Sequence, residues 1–173
     1  MIQIKGKIIF NPEDRTNKHK AQSKWKRMAI VSINDDITDY YAWFINKRYN
    51  LSLNKPLRGP HISFINDSIN DIKKGLLTES DNKAQKRWNY VANMWNGREI
   101  NIVLNNDVRT DSKYWWLNIP EENRNVLHAI RLQLGLGRPH WGLHMSIGYA
   151  NEKQIEHSKY IHNLIIKYGR DYE

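Results

Sequence analysis

Gly59-Pro60-His61-Ile62-Ser63-Phe64-Ile65 and, a little over eighty residues further on, Gly142-Leu143-His144-Met145-Ser146-Ile147-Gly148 are two copies of one pattern. In each, a histidine and a serine stand two apart, set among apolar residues. Alternation with period two is the mark of a strand, whose successive side chains point to opposite faces. The histidine and serine therefore share one face of each strand. Ile62, Phe64 and Ile65 in the first copy, and Leu143, Met145 and Ile147 in the second, supply the packing against a core. At a rise of about 3.3 Å per residue, the His and Ser Cα atoms lie roughly 6.5 Å apart, so both side chains reach one group the size of a phosphate. Two such strands side by side make a clamp of His61, Ser63, His144 and Ser146. A lone H-x-S tripeptide carries no weight, since a histidine on a strand is more often a hydrogen-bonded structural residue. Two copies, each after a Gly/Pro turn and a helix-like segment, point to function.

The paired motifs resemble the 2H phosphoesterase superfamily, which includes the RNA 2',3'-cyclic phosphodiesterases once named as 2'-5' RNA ligases. That family is defined by two H-x-[ST] motifs on the central strands of two pseudo-symmetric lobes. Here the motif positions are His61, Ser63, His144 and Ser146. Many members have Thr where this chain has Ser, and the hydroxyl is kept. The resemblance implies an α+β fold, one bilobal domain over residues 1–173, with two pseudo-symmetric antiparallel sheets and flanking helices. It also implies metal-independent cleavage of a phosphodiester, with no cofactor. Within the superfamily, the compact size, the wording around both motifs and the many tryptophans look most like the bacteriophage anti-CBASS nucleases, which degrade cyclic oligonucleotide alarm signals. That likeness implies a cyclic di- or trinucleotide substrate, opened at a 3'-5' linkage, and action in the host cytoplasm.

Composition sets the outer bounds. A chain of 173 residues is long enough for one well-buried core and short for two independent ones. Hydrophobic residues at 40% and charged ones at 26% describe a globular chain. No apolar run approaches the length of a membrane span, and Met1-Ile2-Gln3-Ile4-Lys5 is no signal peptide, so a soluble, cytoplasmic protein without a membrane partner is expected. Without cysteine, neither disulfides, thiolate metal sites nor a Cys nucleophile can be invoked. A formal net charge of +9 favours an anionic partner, nucleotide or nucleic acid before others. Seven tryptophans and nine tyrosines offer rings for stacked bases, although most rings in any domain pack in its core.

Along the chain, Gln3 to Phe10 alternates as an opening strand. Residues 11–27 are polar and basic, with Lys18, Lys20, Lys24, Lys26, Arg27 and a single large apolar side chain, Trp25. This reads as a long surface loop, either a solvated one or a lid lining a phosphate route. Met28 to Ile33 is a buried strand. A helix from about Asp36 to Tyr49, with an acidic N-cap, places Ile37, Tyr40, Tyr41, Phe44 and Ile45 on one side. Arg58 stands just before the first motif, within reach of a phosphate oxygen. A weak helical stretch around Ile69 to Leu77 precedes a stronger helix from Asn82 to Trp95, with Trp88, Val91, Ala92 and Trp95 inward and Gly97 ending it. Glu99 to Leu104 is a strand, Asn105 to Ser112 turn-like, and Tyr114 to Ile119 a further strand. The pattern puts Trp115 and Trp116 on opposite faces, one to pack and one to meet ligand, without saying which. Pro120 opens a helix to about Leu134, with Val126, Leu127, Ile130 and Leu134 inward. A final helix covers Glu152 to Tyr168. The helix-then-motif order thus occurs twice, and such a repeat would bring His61 and His144 face to face.

Two histidines flanking one phosphodiester supply a base for the attacking oxygen and an acid for the leaving one, since imidazole ionises near working pH. Ser63 and Ser146 donate to the non-bridging oxygens, where charge is stabilised in the transition state. No metal is demanded. His140 and His144 have the spacing of a helical metal pair, but Pro139 and Gly142 argue against a helix there. The candidate substrate-binding residues are Trp141, three residues before His144, with Arg58, Trp25 and Trp115. The sequence does not say which histidine is base and which acid, and it leaves the oligomeric state open. Two other readings stand beside the first: the same chemistry on RNA ends carrying a 2',3'-cyclic phosphate or a 2'-5' linkage, and a non-catalytic basic RNA-binding module. The tryptophan-rich chain leans to the small cyclic ligand, for which no long nucleic acid is required.

Overall fold

The computed structural model describes residues 1–12, 27–56, 58–66, 81–139, 141–151, 153–157, 159 and 163. Seven strands form a mixed α+β fold: β1 (Ile2–Phe10), β2 (Ala29–Ile33), β3 (His61–Ile65), β4 (Glu99–Leu104), β5 (Val108–Thr110), β6 (Tyr114–Asn118) and β7 (His144–Tyr149). The helices are α1 (Asp35–Tyr49), α2 (Asp81–Trp95) and α3 (Asn125–Gln133), with a 3-10 turn at Glu121–Asn123 and a helical stretch over residues 153–157. Trp25, the basic side chains from Lys18 to Lys26, the stretch from Ile69 to Leu77 and most of the expected last helix lie outside the described residues.

The strands make one sheet in the order β4-β1-β2-β3-β7-β6-β5, antiparallel at every junction, where two sheets were expected. The reason lies in the middle. The motif strands β3 and β7 pair with one another through the register Ile62↔Met145, joining a four-stranded half to a three-stranded one. Ile62, Phe64, Ile65, Leu143, Met145 and Ile147, the apolar residues of both motifs, are all buried; alternation accounts for all but Ile65, which falls out of phase where the β2–β3 register shifts.

The helices cross over between the halves. The first, α1, leads towards β3 but packs against β7, whereas α3, which leads towards β7, packs against β3. Each helix therefore ties its own motif strand to the other one. Asn34, rather than an aspartate, caps α1 by accepting from the backbone N–H of Asp36, and Asn50 closes it in the left-handed region at φ 52°. Tyr41 and Ile45 face inward as expected, but Tyr40 is 61% exposed and Thr38 takes a buried place. Trp88 and Val91 of α2 are buried, with Trp88 edge-on to Phe10 at 5.0 Å, and Gly97 ends the chain's excursion at φ 84°. Residues 105–112, expected to be turn alone, contain the edge strand β5, whose pairing to β6 supplies the structure that local composition does not show. The helix expected from Pro120 starts only at Asn125, and Val126 is exposed while Leu127 and Ile130 are buried. Among the described residues, no helix is long and apolar enough to cross a membrane.

Gly6 is a point where the sheet admits no side chain. A Cβ there would collide with Cγ1 of the fully buried, β-branched Val31 on β2 and lie 3.3 Å from the Ser32 carbonyl. Gly6→Ala is expected to cost about 1–3 kcal/mol, as overpacking of a tight core does. A urea midpoint equal to that of the wild type would show instead that β1 and β2 part there without cost.

Candidate active site

The seam between β3 and β7 places the four motif side chains. With Ile62 opposite Met145 in an antiparallel pair, continuing the register puts His61 across from Ser146 and Ser63 across from His144. The polar residues share one face, and Ile62 and Met145 point to the other. The two histidines occupy diagonal corners, roughly 7–8 Å apart at Cα, and the serines the other diagonal.

The two halves repeat in detail. From His61 to Asn66, and again from His144 to Tyr149, the residues run half-buried, buried, half-buried, buried, buried, half-buried. The double burial has a cause. Ser63 faces Ile30 and Ile65 faces Ala29, leaving Phe64 as an extra residue in β3; Ser146 faces Trp116 and Gly148 faces Trp115, leaving Ile147 extra in β7. Each motif strand thus carries a β-bulge directly after its serine, and a bulge resets which side chains share a face. In β7 the bulge turns Tyr149 onto the same side as His144 and Ser146.

The histidines are also held alike. His61 Nδ1 lies 2.7 Å from the Gly59 carbonyl oxygen, and His144 Nδ1 lies 2.8 Å from that of Gly142. A carbonyl can only accept, so each Nδ1 carries the proton and each Nε2 is the nitrogen left to exchange protons at the clamp. At Gly59 the backbone reaches its carbonyl through a φ of 70°, a conformation suited to glycine. Burial pushes the His61 imidazole below its usual ionisation range; the bond to Gly59 opposes this, while the charges of Arg58 and His144 add to it.

Beyond the single ladder pair, side chains continue the joint. Trp141 Nε1 donates to the Ser63 carbonyl at 3.4 Å, and Arg131 Nη1 donates to the Phe64 carbonyl at 2.6 Å. Arg131, on α3, is fully buried; its Nε donates to the Gly137 carbonyl at 2.8 Å, and its guanidinium lies 5.7 Å from the centre of the Trp141 ring. One buried cation therefore grips β3 just past Ser63 and the loop that enters β7. The sequence reading missed it, because an arginine at a helical position carries no sign of burial.

Two depressions open on the clamp face and share Tyr114 and Ser146. One, of about 480 Å3, is lined by Arg58, His61, Lys113 and Tyr149; the other, of about 560 Å3, by Asp111, Trp116, Asn118, Trp141 and His144. Ser63 lines neither. Of the expected binding residues, Arg58 and Trp141 are at the site, and Trp25 lies outside the described residues. Trp115 is a correction: it is fully buried, 5.6 Å from the Tyr49 ring, on the face of the sheet opposite His144 and Ser146. Its neighbour Trp116 is half-buried on the clamp face, 5.8 Å from the His144 ring. Arg27, expected on a phosphate route, is only 2% exposed. Tyr114, Tyr149 and Asn118 were not singled out, and alternation from a buried Trp115 would have found the first and last. Among the described residues, no group of three His, Asp or Glu side chains is placed to hold a metal ion, and His140 lies outside them.

Two outcomes are expected. In an NMR titration His61 ionises below the ordinary imidazole value of about 6.5, and His144→Ala moves it upward. A His61 titration indifferent to that substitution would mean the two rings do not share a field. Arg131→Met is expected to lose about 3 kcal/mol of unfolding free energy, two hydrogen bonds from a charged donor being removed at once; a loss below 1 kcal/mol, read from urea unfolding, would show that the grip is dispensable. Set against family models, curated proteins and solved structures, the chain matches none.

Proposed function

We propose that this chain is a single bilobal domain of the 2H phosphoesterase type, over residues 1–173, and that it cleaves phosphodiester bonds without a metal. The observation that carries the reading is the two-fold correspondence of the clamp: two His-x-Ser strands, paired to each other, with matching bulges and with both histidines fixed in the same tautomer. The four- and three-stranded halves of the sheet are the two lobes, and the β3–β7 seam is the axis between them.

In the reaction, the hydroxyl attacking phosphorus, that of the adjacent ribose 2'-carbon, gives its proton to Nε2 of His61. A new P–O bond forms, the bond to the leaving oxygen breaks, and that oxygen takes a proton from Nε2 of a protonated His144. His61 is the base because burial and the nearby Arg58 favour its neutral form. The serine hydroxyls donate to the non-bridging oxygens, where negative charge builds.

The substrate is a small cyclic oligonucleotide opened at a 3'-5' bond, and the protein is a phage counter-defence factor acting in the host cytoplasm against CBASS immunity. Support for a small ligand comes from the two depressions that meet at Ser146, each walled by aromatic rings: Tyr114 and Tyr149 on one side, Trp116 and Trp141 on the other. One phosphodiester at the junction leaves a base for each.

The test is turnover, in EDTA, of 3',3'-cyclic dinucleotides, cyclic trinucleotides, 2'-5' oligoadenylate and RNA ending in 2',3'-cyclic phosphate. Cleavage of the cyclic oligonucleotides is expected, with kcat lowered about 10²–10⁴-fold by His61→Ala or His144→Ala. The acid limb of kcat/KM is expected below the ordinary imidazole range, because the base that must be neutral is His61. Turnover of RNA ends alone would reassign the substrate class, and no metal-free turnover at all would leave the clamp a binding site.

A further inference from the structure

We infer that the depression at the His61 end of the clamp is a second phosphate subsite, in which Arg58 and Lys113 hold the 5'-phosphate of the nucleotide whose 2'-hydroxyl attacks. The inference rests on the phosphodiesterase reading, with His61 as base. It goes beyond that reading in adding Lys113 and in naming a group away from the scissile bond.

The strand directions bring the two cations to one end. β7 runs antiparallel to both β3 and β6, so its later residues lie beside those that lead into the other two. Arg58 stands three residues before His61, in the turn whose Gly59 N–H donates to the Pro56 carbonyl at 2.9 Å. Lys113 stands immediately before β6, and its carbonyl accepts from the N–H of Ala150, just past β7, at 2.8 Å. Both line one depression with His61, Tyr114 and Tyr149, and among the described residues no carboxylate lines it. The depression beside His144 is the reverse: it holds a carboxylate, Asp111, and among the described residues neither lysine nor arginine. A phosphate is the anion that a guanidinium and an ammonium together hold well.

The turn that carries Lys113 is fixed from several sides. Asp111 Oδ1 accepts from the N–H groups of Lys113 and Tyr114 at 3.0 and 2.7 Å, and Thr110 Oγ1 accepts from that of Ser112 at 3.0 Å. Ser112 is kept in the left-handed region, at φ 81°, which a residue other than glycine holds only where its surroundings impose it. The Lys113 ammonium lies 5.3 Å from the centre of the Tyr114 ring, which lines the same depression.

Distance separates this ammonium from the scissile phosphate. That phosphate lies among His61, Ser63, His144 and Ser146, whereas Lys113 is three residues, about 10 Å, along β6 from Trp116, the partner of Ser146. His61 takes its proton from the 2'-hydroxyl, so the attacking ribose lies at the His61 end and the leaving oxygen at the His144 end. The next phosphate in the direction of His61 is therefore the one on the 5'-carbon of the attacking ribose. Every scissile bond of a cyclic oligonucleotide has such a neighbour; a 3',5'-cyclic mononucleotide has none.

The deoxydinucleotides d(ApA), d(pApA) and d(ApAp) test the subsite without turnover, because they lack the attacking 2'-hydroxyl. The last two carry the same groups and differ in which end bears the added phosphate. In calorimetric titrations of the full chain at one salt concentration, d(pApA) is expected to bind about tenfold or more tighter than d(ApA) or d(ApAp), as charged hydrogen bonds to one more phosphate imply. Lys113→Met is expected to erase that preference and Lys113→Arg to keep it. Equal affinity for all three, or a preference for d(ApAp), would overturn the proposal. So would a Lys113→Met variant that weakens all three alike, since the lysine would then serve the scissile phosphate. Preference for d(pApA) without cleavage of its ribose counterpart pApA would sink the catalytic reading and leave the subsite standing. Cleavage of ApA and pApA with equal kcat/KM would do the reverse.

Discussion

Everything at the site depends on how two strands meet with almost no ladder between them. An ordinary antiparallel junction is held by alternating pairs of backbone hydrogen bonds, but β3 and β7 share the single register pair Ile62↔Met145. The bonds that a longer ladder would provide come from side chains instead, with the Ser63 carbonyl taken by Trp141 and the Phe64 carbonyl by Arg131. Burying a guanidinium is costly unless its donors are satisfied, and Arg131 satisfies them on carbonyls from both halves. The relative position of His61 and His144 is thereby set by α3 and by the chain entering β7 as much as by the sheet itself. The crossed packing of α1 on β7 and α3 on β3 works in the same direction: neither half can shift without disturbing a helix that belongs to the other.

A two-fold clamp has no inherent preference for which way round a substrate lies. Motif, bulge and tautomer all repeat, so the direction must come from what differs. The differences begin one strand further out. On the first side, Ile30 and Ser32 of β2 back the motif; on the second, Trp116 and Asn118 of β6 do, followed by the aromatic pair Tyr114 and Tyr149, whose rings lie 6.4 Å apart. Among the described residues these rings stand beside one half of the clamp alone, and on the proposed reading they would orient a ligand by stacking.

Much of this was legible because it is local. Period-two alternation marked both motif strands, identified five of their six buried apolar residues and placed each His with its Ser; helical spacing marked α1, α2 and the inward Leu127 and Ile130. What escaped was set by pairing across the sheet. Whether Trp115 or Trp116 is buried depends on the register across the sheet: Trp115 pairs with Gly148, against which Leu53 and Asn54 lie, and Trp116 pairs with Ser146. Tyr149 is odd-numbered in relation to Ser146 and would fall on the covered face of a regular strand; the bulge at Ile147 brings it to the site. The edge strand β5 exists by virtue of β6, and two sheets become one through a single bridge that no periodicity announces. Arg131 is hidden for a different reason: a buried charge is an exception to hydropathy, found only when its partners are known.

Acid–base chemistry at one phosphate needs one imidazole neutral and the other protonated at the same moment. Identical motifs cannot by themselves assign the proton. The assignment falls to surroundings that the repeat does not include: His61 is enclosed deeply enough for burial to be the main influence on it, and Arg58 adds its charge on that side. Unlike environments driving like groups apart is the general means by which one site holds both an acid and a base. The +9 net charge attracts an anionic ligand without distinguishing its ends. The local contrast around His61 does distinguish them, so on the proposed reading the direction of proton flow is set by the residues around the motif rather than by the motif.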